Sequence, residues 1–405
     1  MPNPPAQKRR VVSGMRPTGQ LHLGNFHGAL ANWVELQHRY ECYFFVADWH
    51  ALTTSYEDTV DLKANTHEVL IDWLAAGLDP SACTIFVQSR VPEHAELHLI
   101  LSMVTPLSWL ERVPTYKDQI EQLKDKDLGT YGFLGYPLLQ SADILAYRPE
   151  FVPVGEDQAA HVEITREIAR RFNHVYGREP DFASKLEAAL KRLGGANALQ
   201  YTECRRRFQE DGDAEALATA KALVEAGTQL TVADRERLLG HLEGGGRAIL
   251  PEPAVLLTKT PKVPGLDGRK MSKSYANTIG LREDPASVEK KLKAMKTDPA
   301  RARRTDPGDP AKCPVFDLHK IYSDEKTQEW AANGCRTAGI GCLDCKKPVI
   351  EAVIRQIEGF RSRAREFEGN PELVRGIVAE GCERARDAAR ATMAEVREAV
   401  RLDYR

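Results

Sequence analysis

The sequence predicts an α/β fold: a Rossmann-like parallel sheet, followed by a helical C-terminal third. Two observations carry this. Residues 43–47 (YFFVA) and 84–87 (TIFV) are short, continuously apolar runs, the pattern of strands buried on both faces, and a helical stretch over 60–76 separates them. From Asp284 onward the apolar residues recur at helical spacing, first Val349, Ile350, Val353, Ile354, Ile357 and Phe360, then Leu373, Val374, Ile377 and Val378.

The remaining elements follow in order. Val11 and Val12 open a first strand that runs into the turn-like Ser13-Gly14-Met15-Arg16-Pro17-Thr18-Gly19. Leu30, Trp33, Val34 and Leu36 then mark a helix up to Tyr40. Gly14, Asp48 and Gln88 fall at the carboxyl ends of the first three strands, where parallel sheets bind ligands. The sheet resumes at 151–154, followed by Gly155-Glu156-Asp157-Gln158 and a helix to about Tyr176. Residues 181–250 break the alternation. Leu186, Leu190 and Leu193 keep helical spacing among ten Lys/Arg and eleven Asp/Glu, so a solvated helical insert is expected, ending in Gly244-Gly245-Gly246. Asn370-Pro371 starts the last helix, with proline at the first helical position.

A length of 405 residues admits two or three domains. With a net charge of −2, any surface for a polyanion has to come from local clusters. No run of 18 apolar residues occurs, and MPNPPAQKRR lacks the apolar core of a signal peptide, so a cytoplasmic protein without a membrane association is expected. Cys42, Cys83, Cys204 and Cys382 are scattered, as suits reduced thiols.

Two short motifs carry chemistry. His22-Leu23-Gly24-Asn25 follows the first strand and opens a helix, where glycine lets a base or phosphate approach the backbone and the helix N-terminus favours anions. Lys270-Met271-Ser272-Lys273-Ser274 follows the glycine-containing run 264–268, and two lysines three residues apart on a loop can follow a phosphate chain as charge builds on it. Each alone is weak. In this order on this sheet they resemble the HIGH and KMSKS signatures of class I aminoacyl-tRNA synthetases, with Asn25 in place of the second histidine. Three further runs narrow the resemblance to the tryptophanyl-tRNA synthetase family, in its long bacterial form: 13–19 resembles the first ATP loop, 136–145 (YPLLQSADIL) the amino-acid helix, and 152–158 (VPVGEDQ) the loop serving ribose and amino acid.

The resemblance covers roughly 10–180 and 251–405 and implies ATP with Mg2+, L-tryptophan and tRNA(Trp) as partners, in a homodimer. It places Arg16, Pro17, Thr18, His22, Gly24, Asn25, Gly155, Glu156, Asp157, Lys270, Met271, Ser272, Lys273 and Ser274 at ATP, with His22, Lys270 and Lys273 acting on the phosphates. Tyr136, Gln140 and Gln158 would hold the substrate ammonium, with His50 near the pocket or serving as a strand-end residue. Asp143 is the candidate specificity residue, because a fixed carboxylate reads the indole N–H, which only donates. The implied division is a loose 1–9, a catalytic domain over 10–180 and 251–283, the insert 181–250, and a helical anticodon-binding domain 284–405.

Cys313, Cys335, Cys342 and Cys345 are spaced by 21, 6 and 2 residues, a grouping that suits metal ligands. Zinc is the generic reading; the spacing also resembles the [4Fe–4S] site of some members of the family. All four lie beyond Ser274, so the metal is expected to serve the helical third. Arg301, Arg303, Arg304, Lys346 and Lys347 adjoin it as candidate contacts to tRNA phosphates. Two rival readings remain: a tyrosine-specific relative or other HIGH-fold nucleotidyltransferase, and a synthetase-like protein that only binds RNA or senses iron.

Overall fold

The structure, a computed structural model, describes residues 8–113, 129–155, 159–177, 181–243, 245–257 and 261–404. Most of the N-terminal segment 1–9 lies outside them, as do Glu156, Asp157 and Gln158.

Five strands form one parallel sheet: β1 Arg10–Met15, β2 Glu41–Val46, β3 Cys83–Val87, β4 Phe151–Val154 and β5 Ala254–Leu257, in the order β3-β2-β1-β4-β5. The chain winds outward from β1 to β3, then returns to the other side of β1. The crevice between the carboxyl ends of β1 and β4 is therefore the switch point where such sheets bind ligands. β3 is buried along its whole length and β2 nearly so, as their unbroken apolar runs require. β5 was not anticipated. Its side chains are exposed or half-buried, so it carries little hydrophobic contrast, and only its pairing with the distant β4 makes it a strand.

The helix after His22 differs from expectation in its middle. Phe26–Leu30 winds as a π-helical segment before the Ala31–Leu36 helix. His27, within it, bonds the Tyr322 hydroxyl at 2.8 Å and so ties this turn to the helical third.

The C-terminal helices share the sheet's core, which runs from Val11 to Val396. Cys342–Gly369 packs on Leu62–Ala76, and Pro371–Ala399 covers β3. A Cβ at Gly381 would fall 1.8 Å from the Ile85 carbonyl oxygen. Only glycine allows this approach, and it closes an edge strand that would otherwise be open to pairing. The Asn370 side chain accepts from Leu373 N, capping the last helix where Pro371 begins it.

The insert is helical: Phe182–Leu193, Gly195–Asp211, Ala214–Ala226 and Val232–Leu242. It has its own small core, including Leu193, Tyr201, Val224 and Leu238. Arg148 and Arg247 together bind Glu236 of the insert and Glu395 of the last helix, which fastens the insert to the body of the protein.

Candidate active site

Backbone stitches the first signature motif to the segment that follows the second. Leu23 N donates to Ile279 O at 3.0 Å, Leu281 N donates to Leu21 O at 2.9 Å, and His22 bridges Gly280. A Cβ at Gly24 would lie 2.9 Å from His22 Nδ1 and 3.3 Å from Met271 Cβ, so glycine is needed where the motifs meet. His22 N donates to Asn25 Oδ1 at 3.1 Å. Asn25 thus caps the helix with its oxygen and keeps its NH2 group as a donor. His22 is buried, and among the described residues its Nδ1 has no partner. Burial, reinforced by Lys273, pulls the imidazole down to about 4, so the ring is uncharged near neutral pH.

Lys273 Nζ donates to Thr18 O at 2.5 Å, bringing the second lysine of the loop onto the turn after β1. Lys270 and Ser274 are exposed, Ser272 is half-buried and Met271 is buried beneath them. Asn277 organises this loop: its Oδ1 accepts from Ser272 N at 2.8 Å, and its Nδ2 donates to Asp267 Oδ1 at 2.7 Å and Lys270 O at 3.2 Å. A Cβ at Gly265 would collide with that amide. Arg282 pins the far end of the loop. Its guanidinium, 6% exposed, bonds Glu68, Asp72 and Glu368, and Asp72 Oδ2 accepts from Leu21 N at 2.6 Å.

Beside these loops, the Tyr136–Leu145 helix presents Tyr136, Gln140 and Asp143 at i, i+4 and i+7, hence on one face. Arg16, exposed on the turn after β1, stands within electrostatic reach of Tyr136. Asp143 is fully buried. Its Oδ1 accepts from Gln88 Nε2 at 2.7 Å and pairs with His94 Nδ1 at 2.6 Å; its Oδ2 pairs with His50 Nε2 at 2.8 Å. Burial works against the charge, and the bonds from His50 and His94 overcome it, holding the carboxyl well below the usual carboxylate range. A carboxylate offers about four lone-pair positions. Among the described residues these partners take three of them, leaving one on Oδ2. His50 marks the open side, with 12% of its side chain exposed against 0% for Asp143.

The profile of the tRNA synthetases class I (W and Y) family matches residues 5–190 and 223–357. The chain belongs to this family. It is 62% identical over 395 residues to the tryptophan–tRNA ligase of Ralstonia nicotianae, which spans 98% of this chain and 99% of that one. Its identity to the tryptophan–tRNA ligase of Thermotoga maritima is 42% over 397 residues, 98% of this chain and 100% of the other. Among solved structures, tryptophanyl-tRNA synthetase from Campylobacter jejuni, complexed with ADP and tryptophan, matches with a TM-score of 0.71 at 28% identity, over 96% of this chain and 99% of that one.

In this class I synthetase the structure brings His22, Gly24, Asn25, Thr18, Met271 and Lys273 together on one side, and Tyr136, Gln140, Asp143 and His50 on the other. His50 is not at a strand end but inside the Asp48–Ser55 helix, bonded to Asp143. Pro17 is buried, while Gly155 is half-buried just past β4, beside the crevice. Gln88 at the β3 end proved to be an Asp143 partner; Asp48 instead joins β2 to the turn after β3 by accepting from Ser89 N at 3.0 Å. His94, Tyr147, Asn277 and Arg282 were missed. Gly265 ahead of the loop was the one sequence signal for Asn277; the others bear no local mark.

Two expected RNA contacts are corrected. Lys346 is buried, its Nζ donating to Lys293 O at 2.7 Å and Met295 O at 2.5 Å, so it caps the carbonyl end of the Pro285–Ala294 helix. Arg301 turns inward, donating to Arg304 O and Ile340 O at 2.9 and 2.8 Å and bonding Cys335. Arg303, Arg304 and Lys347 remain exposed. The four grouped cysteines are free thiols within electrostatic reach of one another. Among the described residues, no three His, Cys, Asp or Glu side chains stand ready-set around a single metal ion.

Proposed function

We infer that this synthetase is a tryptophan–tRNA ligase, which activates L-tryptophan with ATP and transfers it to tRNA(Trp). One observation carries the choice of amino acid: a buried, ionised Asp143 on the same helix face as Tyr136 and Gln140, in a chain aligned end to end with tryptophan–tRNA ligases. The tryptophan carboxylate attacks the α-phosphorus of Mg–ATP, pyrophosphate leaves, and a terminal hydroxyl of the tRNA then attacks the adenylate carbonyl and expels AMP. Side chains take little covalent part; they position and stabilise charge. His22 and Asn25 donate hydrogen bonds to phosphate oxygens, while Lys270 and Lys273 supply the positive charge. Arg16, Pro17, Thr18 and Gly24 frame the nucleotide from β1, Gly155, Glu156 and Asp157 from β4, and Met271, Ser272 and Ser274 from the loop. Gln158 joins Tyr136 and Gln140 at the ammonium. An ATP–pyrophosphate exchange assay across the amino acids tests this reading: exchange with tryptophan is expected, and stronger exchange with tyrosine would overturn it.

Cys313, Cys335, Cys342 and Cys345 hold a [4Fe–4S] cluster on this reading, with zinc as the alternative. Burial, added to by Cys313, Cys335 and Cys342, pushes the Cys345 thiol up to about 12, so four thiolates need a cationic centre among them. A [4Fe–4S] cluster takes four cysteine thiolates, the number present in this group. When bound, the cluster would supply a cross-link that orders the loop bearing Arg303 and Arg304 and the start of the Cys342–Gly369 helix bearing Lys347. Anaerobically purified protein should show iron, acid-labile sulfide and visible absorption; one zinc and no iron would replace the cluster with a structural zinc site. The homodimer rests on Leu99, Met103, Leu107 and Tyr131, large apolar side chains exposed on neighbouring segments. A cytoplasmic location fits eight free thiols, and among the described residues no helix is long and apolar enough to cross a membrane.

A further inference from the structure

Behind Asp143, on the side away from His50, a second hydrogen-bonded chain runs into the core. His94 Nδ1 lies 2.6 Å from Asp143 Oδ1, and its Nε2 lies 2.6 Å from the Tyr147 hydroxyl. Both residues are fully buried. We propose that His94, locked by Tyr147, is the positioning residue that aims Asp143 at the indole N–H, and so sets the discrimination between tryptophan and ring analogues that lack this donor. The proposal rests on the reading of Asp143 given above and goes one layer deeper.

The proton inventory fixes the direction of the chain. Burial, with the Asp143 charge, raises the Tyr147 phenol well above its ordinary value, so the hydroxyl keeps its proton. Among the described residues its one hydrogen-bond partner is His94 Nε2, to which it donates. Nε2 is then an acceptor and Nδ1 carries the hydrogen, which points at the carboxylate. The opposite tautomer would leave a bare nitrogen facing Asp143 at 2.6 Å, two acceptors with no proton between them. Gln88 is oriented just as firmly. Its Oε1 accepts from Trp49 N at 3.1 Å, so its NH2 group must face Asp143 Oδ1.

Oδ1 is thereby filled from behind by two fixed donors, and rotating the carboxyl group breaks both bonds at once. The orientation that survives leaves the open lone pair on Oδ2, beside His50. The surrounding rings keep His94 from tilting: Phe45, Phe86 and Tyr147 have centroids 5.9, 6.1 and 5.4 Å from its own, and Tyr147 stacks on Tyr43 at 4.8 Å. Phe45 and Tyr43 belong to β2 and Phe86 to β3, so the sheet sets where the carboxylate points. A reader held this way rejects a substrate without the matching donor, because an acceptor aimed at the pocket is left unpaired.

A merely structural network would lower stability and affect all substrates alike, so the test compares two substrates. Exchange kinetics are measured with tryptophan and with the analogue in which sulfur replaces the indole N–H, on variants whose thermal unfolding is also recorded. In His94→Leu, kcat/KM for tryptophan is expected to fall about tenfold or more, chiefly through KM, with little change for the sulfur analogue. His94→Asn keeps an N–H near the place of Nδ1 and should retain most of the selectivity. Tyr147→Phe loses one hydroxyl and keeps the packing; its selectivity should fall by about threefold or more. If the tested variants lose both substrates equally, or keep the wild-type ratio, the positioning role is overturned. Asp143→Ala separates the layers. If it leaves selectivity intact, the Asp143 reading itself fails; if it abolishes selectivity while Tyr147→Phe and His94→Leu do not, Asp143 stands and the relay falls.

Discussion

On the proposed reading, His22 and Lys273 divide the work at the phosphates. His22 is pulled down to about 4 by burial and by Lys273, so at neutral pH it donates without a charge, and the positive charge comes from the lysines. The sign of the pH effect follows. An unfolded histidine titrates near 6.5, whereas the folded one resists its proton until about 4. Its contribution to stability is therefore complete above 6.5 and is lost as pH falls through 4. Substituting His22 by Gln should flatten the fall in Tm between those values; an unchanged slope would show that His22 is not the group responsible. Lys273 adds a second prediction. It reaches Thr18 from the exposed end of the lysine loop, and on the proposed reading charge on the phosphates grows in the transition state. Lys273→Ala should thus reduce the adenylation rate while leaving tryptophan affinity nearly unchanged. Equal losses in ground-state ATP binding and in rate would reduce Lys273 to uniform binding.

At the scale of elements, close approach matters more than propensity. Gly381 lies in the long Pro371–Ala399 helix, where alanine would be the better helix former, yet its added Cβ would meet the Ile85 carbonyl at 1.8 Å. Gly381→Ala should destabilise the protein by about 1–3 kcal/mol, the usual range for overpacking. Gly376 in the same helix faces open space, and Gly376→Ala should be neutral or stabilise by up to about 1 kcal/mol. Thermal unfolding of the two variants decides the matter; similar Tm changes would remove the close-packing explanation. The same contrast explains what the sequence made legible. β2, β3 and the stripes at 349–360 and 373–378 declare themselves because their neighbours along the chain share one pattern. His22 and Lys273 were found because each sits in a compact motif. β5, His94 and Arg282 were not, because each takes its meaning from a partner far away: β5 from β4, His94 from Asp143, Arg282 from Asp72 and Glu368. Lys346 misled for the same reason. A lysine beside a cysteine motif reads as a surface cation until the fold places a helix end against it.

Over the whole molecule, the cysteine region and the ATP site are separate in chain order but not fully insulated. Pro314, next to Cys313, stands against Gly268 at the base of the lysine loop, where an added Cβ would lie 3.3 Å from its ring. Lys296 N also donates to Leu266 O at 3.0 Å. Cys342 and Cys345 instead begin the Cys342–Gly369 helix, with Lys347 exposed beside them. Losing a metal unravels the local fold that its ligands close. The exposed cations Arg303, Arg304 and Lys347 feel this directly, while the lysine loop feels it through Pro314 and through the Lys296–Leu266 bond. If the cysteines hold the proposed cluster, Cys342→Ser should lose the iron, weaken tRNA charging severely, and lower tryptophan-dependent ATP–pyrophosphate exchange by only a few fold, about 1 kcal/mol in the barrier. Both assays belong on one preparation, with iron and zinc measured by elemental analysis and unfolding followed in parallel. An exchange activity that collapses as fully as charging, in a variant that still unfolds cooperatively, would mean that the cysteine region supports adenylation itself and that the contact at Gly268 is its route.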